Sequence, residues 1–171
     1  MTEKSFDALD RVARIQHEWA RERPDIDVSP QGVIGRLHRL AARLSDELAV
    51  VFRAHGLSAG EFDVLAALRR AGPPFERTPT ELAESTMITS GGLTKRVDRL
   101  EDAGLVLRRP NAHDGRGRVV ALTAAGRALV DEVFTQHMAN EHRLVEMLGA
   151  PDRRALEGAL ARWLERLPDN R

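Results

Sequence analysis

A mainly α-helical fold carrying one small β-hairpin is predicted for this chain by three features of a single stretch, residues 78–123. Thr78-Pro79-Thr80-Glu81 supplies an N-cap hydroxyl, a proline at the first helical position and a carboxylate at the third, which together make a capping box that starts a short helix. A second helical run stops at Gly104 and places Leu93, Val97 and Leu100 on one face, with Gly91, Lys95, Arg99 and Asp102 on the other. Two β-rich runs, Leu105 to Arg109 and Arg118 to Leu122, then flank a tip of turn formers from Pro110 to Gly117. Helix, turn, helix and hairpin in that order predict a winged helix-turn-helix.

The second helix of the motif has the character of a groove reader. Thr89 or Ser90 caps it, and glycine at 104 suits the left-handed conformation just past a helix end. Gly91 and Gly92 let its backbone approach DNA closely, with Ser90, Thr94 and Lys95 in reach of base edges or phosphates and Arg99 on the same free face. Arg96 borders the apolar face and is expected to lean back toward the protein. In the hairpin tip, Arg116 stands between two glycines and can reach a minor groove, whose negative potential attracts a guanidinium. Asp114 can orient it, and Arg118 follows at the base of the wing. Thr78 and Thr80 complete the expected DNA-contacting set. Taken alone, the tip reads equally well as a solvated polar hairpin; directly behind a helix-turn-helix it reads as a wing.

Composition sets the outer bounds. A chain of 171 residues with 42% hydrophobic and 30% charged residues has globular values, and is one domain, or one domain with an oligomerisation extension. Its formal net charge is zero, so any attraction to nucleic acid is local. From Met87 to Arg118 seven basic residues face four acidic ones, a modest electrostatic footprint. Cysteine is absent, which excludes disulfides, thiolate metal sites and sensing through a sulfenic acid. No apolar run resembles a signal peptide or a membrane span, so a soluble cytoplasmic protein is expected. The chain has no phosphate-binding glycine loop after a strand and no nucleophile elbow, which argues against an enzyme, and no cofactor is implied. The six histidines show no close ligand pair with one another at i, i+4; His137 with Glu141 at that spacing is a possible weak metal site. Two donors on a helix face are more often solvated than metal-bound, and no metal site is expected.

The remaining elements follow from periodicity and breakers. Phe6 to about Glu22 reads as a helix with Leu9, Val12, Ile15 and Trp19 in one stripe. Prolines at 24 and 30 break it. Gln31 to Ala54 reads as a long helix in which Ile34, Ala41 and Leu48 alternate with Leu37, Leu44 and Val51 at heptad spacing, enough for a long helix–helix contact. A second capping box, Ser58-Ala59-Gly60-Glu61, opens a helix to about Arg70, which Ala71-Gly72-Pro73-Pro74 ends. Thr123 caps a helix to about Leu148, and a last helix after Pro151 aligns Leu156, Leu160, Trp163 and Leu167. The helices at both ends carry apolar faces without a partner inside a small winged domain, and a second subunit is the simplest cover. The expected organisation is an N-terminal extra helix and linker (1–30), a helical dimerisation region (31–57 with 124–171) and a winged helix-turn-helix DNA-binding domain (58–123).

A helical N-terminus, a central winged motif with Asp114 and Arg116 in its wing, the phrase Val120-Ala121-Leu122-Thr123-Ala124-Ala125-Gly126, and two C-terminal helices together resemble the MarR family of bacterial transcription regulators, from about Gln31 to Leu167. The resemblance implies a homodimer that places two recognition helices in successive major grooves of double-stranded DNA, at a pseudopalindromic site and with a spacing of roughly 34–36 Å. The added N-terminal helix is similar to that of the urate-responsive branch of the family. That branch carries a tryptophan, an aspartate and two arginines which match Trp19, Asp63, Arg96 and Arg108 here, and it implies a ligand site for urate or a similar anion. Phe62, Leu93 and Lys95 depart from the branch in detail. Each of the four matched residues also has a plain reading: Trp19 as core, Asp63 as a helix-start carboxylate, Arg108 as a phosphate contact and Arg96 as a surface ion pair. The chemistry suits a planar anion, with an indole to stack on and paired guanidinium donors. The alternatives are the same regulator answering another anionic or aromatic metabolite, and a winged-helix module serving protein contacts or DNA architecture alone.

Overall fold

The computed structural model describes residues 10–86, 90–111 and 117–167. Among them are seven helices and three short strands: α1 (Arg11–Glu22), α2 (Gln31–Ala54), α3 (Ala59–Arg70), β1 (Glu76–Arg77), α4 (Pro79–Ser85), α5 (Ser90–Asp102), β2 (Val106–Pro110), β3 (Arg118–Leu122), α6 (Ala124–Val145) and α7 (Ala150–Leu164). The mainly helical class, with a small antiparallel sheet, is as the sequence predicts. The chain divides into two compact units, Met1–Glu47 and Leu48–Arg171.

In the first unit Asp10 is the N-cap of α1, and one of its carboxylate oxygens accepts from the backbone N–H of Val12 at 2.8 Å and of Ala13 at 2.9 Å. Its other oxygen accepts from Arg36 Nε at 2.7 Å, which ties the start of α1 to α2. Val12 is buried and packs on Gly35, where a Cβ would stand 3.1 Å from a Val12 methyl. The Gln16 amide donates to the Val28 carbonyl at 3.1 Å and so holds the proline-bearing connection. Ile15 and Trp19, expected in the same apolar stripe as Val12, are exposed.

The second unit has one hydrophobic core, which draws on Phe52 and Leu57, on Phe62, Val64, Leu65 and Leu68 of α3, and on Leu82, Leu93, Val97, Leu100, Val106, Val120, Val130 and Val133. Both predicted capping boxes are formed. Ser58 and Glu61 cap α3, and Thr78 and Glu81 cap α4 with Pro79 in the first turn. Gly72 takes a φ of +74° where α3 turns off, and Phe75 follows at φ +59°. The Phe75 ring lies against the guanidinium groups of Arg69, 5.2 Å away, and Arg127, 4.6 Å away.

The sheet has three strands in the order β1-β3-β2, all antiparallel. The two hairpin strands pair from Val106↔Leu122 to Pro110↔Arg118, close to the predicted ranges. The third strand was not expected: Glu76 and Arg77 pair with Ala121 and Val120 on the other edge of β3. Two residues carry no alternation of their own, and it is pairing with β3 that makes them a strand.

α6 begins at Thr123, whose hydroxyl accepts from the Gly126 N–H at 3.0 Å and donates to the Gly104 carbonyl at 2.8 Å. A Cβ on Gly126 would stand 1.9 Å from the Leu105 carbonyl oxygen, so the start of α6 is pressed onto the end of the hairpin's entry. None of the α7 side chains is buried, and Leu156, Trp163, Leu164 and, beyond its end, Leu167 are exposed. No helix of the described residues is long and apolar enough to cross a membrane.

Candidate nucleic-acid interface and effector residues

α5 is fixed from behind and bare in front. Leu93, Val97 and Leu100 are almost completely buried, while Thr94, Lys95, Asp98 and Arg99 are exposed. At its C-terminal end Gly104 takes φ +70°, and the N–H groups of Ala103, Gly104 and Leu105 return to the carbonyls of Arg99, Glu101 and Leu100 at 3.0, 2.9 and 2.9 Å. This left-handed glycine cap satisfies the last helical carbonyls and turns the chain into β2. Before α5, the Thr86 hydroxyl donates to the Leu82 carbonyl at 2.7 Å and Arg70 donates to the Ser85 carbonyl, so the C-terminal end of α4 is closed from two sides.

The residues expected to meet DNA are distributed as follows. Thr94 and Lys95 present side chains to solvent on the free face of α5. Arg99 is also exposed but lies 3.7 Å from Glu61 of α3. The Thr78 hydroxyl is occupied as the cap of α4, accepting from Glu81 N–H at 3.2 Å and donating to its carboxylate at 3.0 Å; Thr80 is exposed in the first turn beside it. Ser90, Gly91 and Gly92 form the first turn of α5. Arg118 is exposed at the base of the wing, opposite Pro110. The wing closes through Asn111 N–H to the Gly117 carbonyl at 2.8 Å, and Asp114 and Arg116 lie outside the described residues.

Of the four effector candidates, Trp19 belongs to the first unit and is 48% exposed. The other three belong to the second unit. Arg96 is half-buried and crosses Gly60 of α3, where a Cβ would stand 2.1 Å from its Nε; it leans toward the protein as the helical wheel predicts. Asp63 is half-buried on α3, one turn after Gly60. Arg108 on β2 donates to Asp98 and Glu101 of α5, while its own backbone N–H donates to Glu101 at 2.9 Å. Burial pulls the Arg108 guanidinium toward its neutral form, but hydrogen bonds and charge from Asp98 and Glu101 outweigh that and hold it above its ordinary value. Among the described residues Glu61 is the one buried charged side chain. Burial pushes its carboxyl up, and the N–H and hydroxyl of Ser58, with Arg99, more than reverse this, leaving it below the usual carboxylate range.

A cavity of about 130 Å³ lies between α4, α5 and the sheet, lined by Pro79, Leu82, Leu93, Thr94, Val97, Arg108 and Val120. It places one effector candidate, Arg108, beside one DNA candidate, Thr94. Asp98 and Glu101, counted in the sequence only as charge, are the residues whose function was missed: their three-residue spacing put both carboxylates on the side of α5 that meets β2. A second ion pair, Arg109 to Glu76, spans β3 from β2 to β1. His137 sits 3.2 Å from Glu141 and packs against Phe52 and Phe62, and no group of three acidic or histidine side chains among the described residues converges as a metal site.

A model of the MarR family matches residues 55–117. The HTH-type transcriptional regulator PecS of Dickeya dadantii is 39% identical over 160 residues, covering 94% of this chain and 96% of the relative. Among solved structures, a mutant MarR from Escherichia coli complexed with operator DNA is 31% identical with a TM-score of 0.66, over 81% of this chain and 99% of that one. AbsC, a MarR family transcriptional regulator from Streptomyces coelicolor, is 26% identical with a TM-score of 0.70, over 81% of this chain and 94% of its own.

Proposed function

Because the chain belongs to the MarR family of DNA-binding transcription regulators, we propose that it is a cytoplasmic homodimeric repressor that reads a pseudopalindromic operator and is released by urate or a related anionic purine. The observation that carries the reading is the two-sided character of α5, with Leu93, Val97 and Leu100 locked in the core and Thr94 and Lys95 free. Such a helix can enter a major groove without leaving its support. The winged domain is residues 58–123. Residues 31–57 and 124–171 supply the dimer contact and residues 1–30 add a further helix; the exposed apolar side chains of α7 support this division. Repression agrees with the HTH-type transcriptional repressor Rv2887 of Mycobacterium tuberculosis, which is 32% identical over 141 residues.

Trp19, Asp63, Arg96 and Arg108 are the effector residues in this reading. An anion that binds Arg108 competes with Asp98 and Glu101, the two carboxylates by which α5 is held to β2. Exchange of those partners frees α5 to shift, so DNA and effector oppose each other by the same factor in both directions. The test is an operator titration of the purified protein with and without urate, with xanthine and citrate in parallel arms. Urate should lower operator affinity, and operator should lower urate affinity equally. Equal urate affinity for free and DNA-bound protein rules out urate release; release by xanthine or citrate alone reassigns the signal. Operator affinity should fall steeply with salt and be lost in Arg116→Ala, whereas an architectural module would show neither sequence preference nor that loss.

A further inference from the structure

Five of the seven arginines in the first unit line one groove, while Arg21 and Arg23 pair elsewhere with Glu22 and Asp25. Arg36, Arg39 and Arg43 recur on α2 at steps of three and four, with Leu40 between them, and Arg11 and Arg14 lie one turn apart on α1. The five line a cavity of about 440 Å³ together with Asp10, Val12 and Leu40. Of these, only Arg36 is ion-paired among the described residues, with Asp10 at 2.7 Å. The other carboxylates among the unit's described residues, Glu18, Glu22, Asp25, Asp27, Asp46 and Glu47, do not line the groove. In a chain with a formal net charge of zero, four unpaired guanidiniums facing one space are a local repulsion that an anion would relieve.

We propose that this groove between α1 and α2 binds a small molecule carrying two or more linked phosphates. Guanidinium forks match phosphate oxygens bidentately, and several on two helices suit a chain of phosphates better than a single carboxylate or a neutral ligand. The N-terminal end of α1 is already capped by the Asp10 carboxylate, which also holds Arg36, so the positive charge of the groove comes from the guanidiniums. The volume exceeds that of one phosphate ion and leaves room for a linked second and third. The same chemistry is offered by a nucleic-acid backbone, but the guanidiniums line one groove from two helices instead of lying in a single row, which favours a compact ligand.

Calorimetric titration of the full chain with inorganic tripolyphosphate, GTP and inorganic phosphate at matched ionic strength tests this. Tripolyphosphate and GTP should bind one per chain, both more tightly than phosphate. The Arg39→Gln/Arg43→Gln double variant, checked by its circular-dichroism melting curve, should weaken them by about ten- to a hundredfold, as loss of charge-assisted hydrogen bonds predicts. Arg39 and Arg43 lie in the segment assigned to the dimer contact, so sedimentation fixes the protein concentration at which variant and parent have the same oligomeric state, and there the operator affinity should be unchanged at the same salt. If that variant does not fold, Arg14→Gln alone serves, with a smaller loss expected in the same direction. Absence of binding heat, or equal affinity in the folded variants, overturns the proposal. So does a fall in operator affinity and in its salt dependence without polyphosphate binding, which would assign the groove to the DNA backbone.

Discussion

The Arg96 side chain lies across Gly60, with its Nε where a side chain on that residue would begin. α3 and α5 therefore meet through a guanidinium seated on a backbone, and Gly60 is the residue that makes room for it. Gly60→Ala should move the end of a flexible side chain and leave the helices in place. Ala also favours the helix by up to about 1 kcal/mol over glycine, so the urea midpoint should be unchanged or slightly raised. In the same variant the urate concentration that releases operator should rise severalfold. A large loss of stability would show that Arg96 is a packing element instead.

Gly126→Ala should behave in the opposite way. The atom that a Cβ would strike is the Leu105 carbonyl oxygen, and backbone in the turn between α5 and β2 cannot swing aside. A cost of about 2 kcal/mol or more is expected from urea denaturation, in the range of overpacked cores. A loss under about 0.5 kcal/mol, the scale of a neutral surface change, would mean that the contact relaxes freely.

Replacing Arg108 separates its two roles. Arg108→Met removes the donors to Asp98 and Glu101, and a loss of about 1–2 kcal/mol is expected for a partly exposed, charge-assisted contact. Arg108→Lys keeps the charge but not the fork, and should recover part of the stability without restoring urate response. Thermal melts and operator release by urate read these two effects independently.

Acid should weaken the fold through its two capping boxes. The Glu81 carboxyl is lowered by the Thr78 N–H and then its hydroxyl, and Glu61 is lowered because Ser58 and Arg99 outweigh its burial. A carboxylate lowered in the folded state contributes stability that is fully present above its unfolded value of 4.5 and is lost as pH falls through the lower folded value. Urea midpoints measured from pH ~6 down to pH ~3 should therefore decline, and Glu61→Gln should flatten that decline while lowering the midpoint at neutral pH. A decline of equal steepness in Glu61→Gln would remove Glu61 from the account.

What the sequence made legible is what depends on neighbours in the chain. Ser58 with Glu61, Thr78 with Glu81, Thr123 before α6 and glycine at 104 set helix ends through bonds spanning three to five residues, and each is found in the structure. The inward lean of Arg96 followed from the 3.6-residue period alone. β1 was not legible, because Glu76 and Arg77 become a strand only through pairing more than forty residues away. The partners of Arg108 and Arg99 were hidden for the same reason: the three-residue spacing of Asp98 and Glu101 shows that they share a side of α5, but only packing brings them to Arg108 and Glu61 to Arg99. The wing tip, with Asp114 and Arg116, rests on sequence alone.

α7 has fifteen residues and hides none of them. A helix of that length is only marginally stable in water by itself; in the homodimer proposed above the partner subunit keeps it wound, and its stability is then set by mass action. Diluting the protein should then act as a denaturant, lowering the melting temperature with each decade of concentration, and the last helix should be the first part to exchange its amide hydrogens.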